Sequence, residues 1–272
     1  MSVTSIGVEV RPVPGSVRLL RGLCRPVGVS NVQGMTGGPG TVWGMTTAAS
    51  PAPPLGDRDV ESLDAADLIG ALVERFGTGL VLACSFQKEE TVLLDMLLTA
   101  HPSARVFALD THVLFPETYA YWQQVEQRYA IKIQVFEGPS MGRQAAEHGP
   151  NLWEAAPDRC CAIRKVEPLG RALAGRDCWI TEVRRDQSPT RANAPKLGWD
   201  GAHGLWKANP LADWDDERCW THIREHGLPH NALHDKGYSS IGCTYCTMPG
   251  EGREGRWSGQ GKTECGLHVP AG

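Results

Sequence analysis

No apolar run in this 272-residue chain approaches the length that crosses a bilayer, so no membrane-spanning helix is expected. There is no basic excess either. Lys and Arg number 27 against 31 Asp and Glu, a net charge of −4, which argues against a nucleic-acid partner. The chain lacks the apolar h-region of a secretory signal and shows no internal repeat. Its nine cysteines are odd in number and are spaced like cofactor ligands, not like a secreted disulfide framework. A reducing, cytoplasmic setting is the expectation. What remains is ordinary composition, 41% hydrophobic and 21% charged, in a length that suits one large domain or two small ones with a proper core.

The first fifty residues lack lysine and carry one acid, Glu9, among nine glycines, four prolines and four arginines. Neither a helical nor a strand period persists there. Pro51-Ala52-Pro53-Pro54 marks a boundary. Residues 1–54 therefore read as a disordered extension or as sequence ahead of a true start at Met45. An Arg-bearing, acid-poor start also has something of a transit peptide. Cys24 falls here and is given no role.

Beyond that boundary the pattern alternates. Leu68, Ile69, Leu72, Val73 and Phe76 recur at helical spacing, with Gly77 to close the helix. Leu80–Cys84 reads as a buried strand running into the polar turn 85–90, followed by a helix carrying Val92, Leu93, Met96 and Leu97. Strands are predicted at 105–110, 131–136 and 178–183, and helices at 116–129 and 158–174. Strands alternating with helices imply an α/β fold with a parallel twisted sheet and flanking helices, and ligands then bind beyond the carboxyl ends of strands. Ser85, Asp110-Thr111 and Arg184 lie at such ends. Residues 184–209 read as a loop, and Asp215 caps a helix to about Glu225. His222, His226, His230 and His234 fall every four residues, but Gly227 and Pro229 interrupt any helix that could align them as metal ligands. Solvated or locally hydrogen-bonded histidines are expected.

The chemistry concentrates near the end. Cys243-Thr244-Tyr245-Cys246 is a C-x-x-C, and Cys160-Cys161 is a tandem pair upstream. Two such pairs suggest a metal or iron–sulfur site. Zinc ribbons usually repeat C-x-x-C, so an adjacent pair is awkward for zinc, whereas a 4Fe–4S cube accepts four thiolates. Two chance pairs of buried thiols are the remaining alternative. Arg159, Arg164 and Lys165 flank the tandem pair, Arg184, Arg185 and Arg191 follow the fourth strand, and Arg253 and Arg256 stand in the tail. Guanidinium forks suit phosphate and sulfate oxygens. Cys265 stands alone among glycines, where a reactive thiol would sit, with Arg256, Lys262 and His268 as candidate activators and Glu264 opposing ionisation unless it turns away.

These residues resemble a known family. Cys160-Cys161-Ala-Ile-Arg164-Lys165-Val-Glu-Pro168-Leu169, Ser240-Ile-Gly-Cys-x-x-Cys246-Thr247, Gly255-Arg256-Trp257 and Lys262-Thr-Glu-Cys-Gly-Leu-His268 look like the assimilatory adenylyl-sulfate reductases. Leu82-Ala-Cys-Ser-Phe-Gln, Leu109-Asp-Thr and Phe115-Pro-Glu-Thr-Tyr119 match the nucleotide-binding half of the same family. The resemblance covers about residues 60 to 270.

The resemblance implies an adenine-nucleotide α-hydrolase-like (Rossmann-like) domain over 55–248, followed by a mobile catalytic tail over 249–272. It implies a 4Fe–4S cluster on Cys160, Cys161, Cys243 and Cys246, with a structural and electrostatic role. It implies that Cys265 attacks the sulfur of adenosine 5′-phosphosulfate, expelling AMP, and that thioredoxin then releases sulfite from the S-sulfonated cysteine. Such a reaction belongs to sulfate assimilation and cysteine biosynthesis. By motif, Ser85 faces the phosphosulfate and Leu109 lies beside the adenosine, while Lys165, Arg184, Arg253, Arg256 and His268 contact the substrate or the cluster's surroundings. Homo-oligomer formation is left open. Two positions depart from the family's pattern. Glu182 stands where a glycine is usual, so an acid must turn away from an anionic ligand or weaken its binding, and His112 follows Leu109-Asp110-Thr111 in place of glycine. Two alternatives stand beside this reading. One is a reductase of the 3′-phosphorylated substrate, a class that generally lacks both cysteine pairs. The other is a non-catalytic iron–sulfur or zinc module, which would not need Cys265.

Overall fold

The computed structural model describes residues 51–259 and 261–268. The expectations for Met45 and Cys24, and most of the 1–54 segment, lie outside the described residues.

Asp64 accepts from the Asp67 amide and starts α1 (Ala65–Phe76), which buries Leu68, Ile69 and Leu72 on one face. Then follow β1 (Leu80–Cys84), α2 (Lys88–Ala100), β2 (Arg105–Asp110), α3 (Pro116–Tyr129) and β3 (Gln134–Glu137). The chain continues through α4 (Met141–His148), α5 (Leu152–Ala155), α6 (Pro157–Cys161), α7 (Glu167–Leu173), β4 (Cys178–Ile180), β5 (Leu197–Asp200), β6 (Leu205–Ala208) and α8 (Asp216–Glu225). The strands form one sheet in the order β3-β2-β1-β4-β6-β5. Every pairing is parallel except β5 with β6.

Both faces of β1 are covered, which explains its unbroken apolar run. Leu80, Leu82 and Cys84 pack with Leu68, Leu93 and Ile223 of α1, α2 and α8, whereas Val81 packs with Leu169 and Leu173 of α7 on the other face. The chain steps from β1 outward to β2 and β3, then returns to place β4 on the opposite side of β1. The sheet therefore has its topological switch between β1 and β4, where the loops leaving the two strands part and open a crevice.

Several boundaries differ from the sequence expectation. The third strand starts at Gln134, because Ile131 and Ile133 are spent on packing before the ladder begins. The fourth strand ends at Ile180, and Val183 turns its amide to Thr181 Oγ1 instead of extending the sheet. The helix expected over 158–174 is interrupted by a π-turn at Ala162–Val166. Pro168 has no N–H to give to the carbonyl four residues earlier, which accounts for a break in the ladder at that point. The stretch 184–209 is not all loop, for it holds the β5–β6 hairpin, whose edge strand β5 is only partly buried and carries no alternating signature. The short helices α4 and α5 were also not anticipated.

The tail is docked in this structure. Bridges Tyr238–Gly250 and Thr247–Arg256 tie its first half to the preceding residues, and Trp257 and Cys265 are buried. A Cβ on Gly255 would collide with the Met248 carbonyl, so only glycine lets the chain return this close.

Candidate active site

The loop leaving β1 is held by one carboxyl group. Glu90, in the first turn of α2, accepts from the Ser85 amide at 3.0 Å, from Ser85 Oγ, and from the Gln87 amide at 3.2 Å. This network keeps Phe86 in the left-handed region at φ 65°. Burial, with Glu182 and Glu89 nearby, pushes Glu90 up to about 8. Gln87 reaches across to the Ile241 amide at 2.6 Å and so ties this loop to the stretch leading into Cys243.

Ser85, Glu90 and Glu182 lie on one cavity at the β1/β4 switch. One end is apolar and aromatic, formed by Phe107, Leu109, Leu169 and Trp179. The other end is cationic, formed by Lys165, Arg191, Arg253 and Arg256, and Cys265 lies close to Lys165, Arg191 and Arg253. Seven of the residues named from sequence therefore converge here: Ser85, Leu109, Lys165, Arg253, Arg256, Cys265 and His268. The free volume is about 100 Å³, against roughly 300 Å³ or more for a ligand of nucleotide size. The tail accounts for the difference. Leu267 packs on the buried cluster that holds Phe107, Leu169 and Trp179, and His268 stacks on Trp179 at 5.7 Å and 15°.

Arg184 is the exception among the expected residues. It lies outside the cavity, its guanidinium held by Glu89 at 3.0 Å, Asp186 at 2.7 Å and Asp216 at 3.0 Å. Three carboxylates around one buried guanidinium make it a structural hub that joins α2, the β4 exit loop and α8. Arg191 takes the cavity position instead. The sequence placed Arg191 in the right loop but gave no reason to prefer it over Arg184, because the choice depends on where the 3-10 turns at 185–191 point.

The tail arginines are aimed by their neighbours. Arg256 donates to Ser240 Oγ at 3.1 Å and to the Ile241 carbonyl at 3.2 Å, and it lies over the Trp257 ring at 4.6 Å. Gly242 makes room for it, since a Cβ there would meet the guanidinium. Arg253 donates to Glu264 at 3.0 Å and to the Thr263 carbonyl at 3.1 Å. The Nε atoms of both arginines are buried with no partner among the described residues, leaving donors to spare for an anion. Glu264 does not oppose its neighbour Cys265 as a free charge. Arg191 grips it in a fork at 2.9 and 3.0 Å, and the arginines hold its carboxyl below the usual range against the upward push of burial.

Glu182 does not turn away from the cavity. Its Oε1 lies 3.1 Å from His268 Nε2 and 3.9 Å from Arg191. Burial pushes this carboxyl up, but the His268 contact and the Arg191 charge outweigh it and hold Glu182 ionised. Burial also pushes His268 below its ordinary value, against the pull of Glu182. The His268 Nδ1 is buried without a partner among the described residues, which suits a neutral ring giving its one proton to Glu182.

The four cysteines of the two pairs line a second cavity, with Trp153 and Tyr245 stacked at 4.0 Å beside it. An antiparallel bridge between Leu114 and Cys243 brings the C-x-x-C to the loop after β2. Burial, then neighbouring thiols, pushes Cys160 up, and the same causes push Cys246 up to about 11. Thiolates crowded this way need a compensating cation. Among the described residues, the groups of three or more His, Cys, Asp or Glu ligand atoms within 4.8 Å of one another contain no cysteine. Four thiolates on one zinc ion would stand about 3.8 Å apart, at Zn–S about 2.3 Å. Lys165 lines both this cavity and the first. Burial would lower the Lys165 amine, but Cys243 and Cys265 keep it above its ordinary value.

The histidine series is locally bonded. His222 and His226 both meet Asp95, at 3.2 and 3.0 Å, His230 meets Asp235 at 3.0 Å, and His234 Nε2 accepts from the Lys88 amide at 3.1 Å.

The family model described as the phosphoadenosine phosphosulfate reductase domain matches residues 79–249. A relative from Salinibacter ruber named adenosine 5′-phosphosulfate reductase is 45% identical over 71% of this chain and 79% of its own. One from Gloeobacter violaceus named phosphoadenosine 5′-phosphosulfate reductase is 45% identical over 78% of this chain and 91% of its own. Among solved structures, a phosphoadenylyl-sulfate reductase from Candida auris in a phosphate complex aligns with a TM-score of 0.62 at 29% identity, covering 69% of this chain and 91% of its own. A Candida glabrata FMN adenylyltransferase, at 13% identity and a TM-score of 0.51 over 68% of this chain and 63% of its own, shares the fold. Sheet, strand-end cavity and matched span agree, and the chain belongs to the phosphoadenosine phosphosulfate reductase domain family.

Proposed function

We propose that this protein reduces adenosine 5′-phosphosulfate to sulfite and AMP with thioredoxin as reductant, in sulfate assimilation leading to cysteine. The observation that carries the reading is that Cys265 lines one strand-end cavity together with an apolar aromatic cluster and four cations. The base takes the apolar end, beside Leu109. The phosphosulfate takes the cationic end, where Lys165, Arg191, Arg253 and Arg256 neutralise its oxygens and Ser85 faces it. The Cys265 thiolate attacks sulfur, an S–S bond forms, the S–O bond breaks, and AMP leaves with that electron pair. A thioredoxin thiolate then attacks Cys265 Sγ, sulfite departs, and the second thioredoxin thiol resolves the mixed disulfide, supplying two electrons in all. Cys265 also borders a groove of about 1150 Å³ on its other side, which supports access by a protein partner once the tail opens. The tail fills the nucleotide's space when closed, so it must open to admit substrate as well as thioredoxin.

Cys160, Cys161, Cys243 and Cys246 fit a 4Fe–4S cluster better than zinc. They line one cavity, and no three of their sulfurs lie within 4.8 Å of one another, where a single tetrahedral ion would hold all four about 3.8 Å apart. Bound there, the cluster would supply positive charge that stabilises the four thiolates and organises the helix start, the π-turn and the C-x-x-C around it. Lys165 stands between that site and the substrate's anionic end.

No helix among the described residues is long and apolar enough to cross a membrane, and the thiol chemistry favours the reducing cytoplasm. The test is sulfite release from adenosine 5′-phosphosulfate and from its 3′-phosphorylated form, each with reduced thioredoxin. The unphosphorylated substrate should be the better one. Without thioredoxin, one AMP per active site should appear with a stable mass increase on Cys265, and Cys265→Ser should form no adduct. Turnover by that variant, or an adduct on Cys84 or Cys178, would refute the mechanism.

A further inference from the structure

Glu182 is a carboxylate only 12% exposed, in a cavity otherwise shaped for an anion, and the reaction above does not use it. Its position in the cavity can be read from its two neighbours. On one side it holds His268, whose ring stacks on Trp179 of the aromatic end. On the other side stands Arg191 of the cationic end, 3.9 Å away. Glu182 therefore sits between the place for a base and the place for a phosphosulfate. In a nucleotide the group between those two is the ribose.

An ionised carboxylate there is an acceptor without protons, and the ribose hydroxyls are donors. The same logic governs dinucleotide sites, where an acid at a strand end takes the ribose hydroxyls and a cation is needed when the ribose is phosphorylated. The titratable groups facing Glu182 are His268, Arg191 and Lys207, with Glu90 as a second carboxyl. Arg191 is already gripped by Glu264, and Lys207 lies under the Trp179 ring at 5.2 Å. With Arg191 also committed to the phosphosulfate, neither is left free to receive a second phosphate.

We infer that Glu182 is a specificity-determining residue. It accepts from the ribose hydroxyls of an adenine nucleotide, displacing His268 as the ribose arrives, and it rejects nucleotides carrying a 3′-phosphate. The inference rests on the nucleotide reading of the cavity. It also gives the tail a reason to move, because the group that latches His268 in the closed state is the group the substrate claims.

The test is equilibrium binding, by calorimetry, of AMP, 3′-deoxy-AMP and adenosine 3′,5′-bisphosphate to the cluster-loaded protein and to its Glu182→Gln and Glu182→Gly variants. The wild type should bind AMP at least tenfold more tightly than either of the other two. Both variants should close most of that gap, Glu182→Gly chiefly by gaining the bisphosphate. A wild type that binds the bisphosphate as well as AMP, or variants whose ratios stay within twofold of wild type, overturn the inference alone. If AMP itself fails to bind the wild type, the nucleotide reading falls and the inference with it. Should a variant not fold, the three ligands on the wild type still decide the matter.

Discussion

Gly242→Ala should separate activity from stability. Gly242 lies just before Cys243, and its φ is not in the left-handed region, so alanine is tolerated by the backbone. An added Cβ would stand 2.7 Å from Arg256 Cζ and 3.1 Å from its Nε. The obstacle is the end of a flexible side chain, not backbone, so the fold yields by moving Arg256. Its bonds to Ser240 Oγ and the Ile241 carbonyl loosen, and its position over the cationic end is lost. A hydrogen bond to a charged group is worth about 1.5–3 kcal/mol, and tenfold in rate corresponds to about 1.4 kcal/mol, so kcat/KM should fall roughly 10- to 150-fold. Stability should fall by no more than about 1 kcal/mol, since the site is at the surface of the cavity and not in the main core. Sulfite release at limiting substrate and a thermal melt measure the two. Activity within twofold of wild type would show that Arg256 does not need its present position. A melting temperature lower by ten degrees would show that the clash is borne by the fold instead.

Serine at any one of Cys160, Cys161, Cys243 or Cys246 should remove the brown chromophore and the activity together, and a variant that keeps both excludes that residue as a ligand. His234 makes stability depend on pH. Burial and Lys88 lower it from 6.5 to about 4, so the folded state holds it neutral. Its contribution is complete above 6.5 and is lost as the pH falls toward 4, a change of up to about 3 kcal/mol. Melts between pH 7 and 4 should show this loss in the wild type and a flatter profile in His234→Gln, and equal slopes would refute it. Deleting residues 1–44 should leave the melting temperature and turnover nearly unchanged, because a Gly- and Pro-rich stretch without periodicity buries little apolar surface. A melt lower by many degrees would show that the segment packs.

The chain's own pattern decided the architecture. The unbroken apolar runs at 80–84 and 106–109, each followed by a helical period, could satisfy both faces only in a parallel sheet between helices. The cysteine spacings and the tail motif likewise singled out the residues that meet around the two cavities, because rare, reactive residue types are legible without coordinates. Short elements were not legible. The β5–β6 hairpin has two four-residue strands with no alternation, and the π-turn at 162–166 leaves no periodic trace. The motif names Arg184, and nothing in the sequence points instead to Arg191, seven residues on in the same loop. Three carboxylates from distant segments draw the first away from the cavity, and Glu264 draws the second to its rim. The pairing of Glu182 with His268 spans 86 residues and exists only because the tail folds back across the end of β4. Contacts of that range are set by packing of the whole chain, where the burial of one charge is matched by a partner that no local pattern announces.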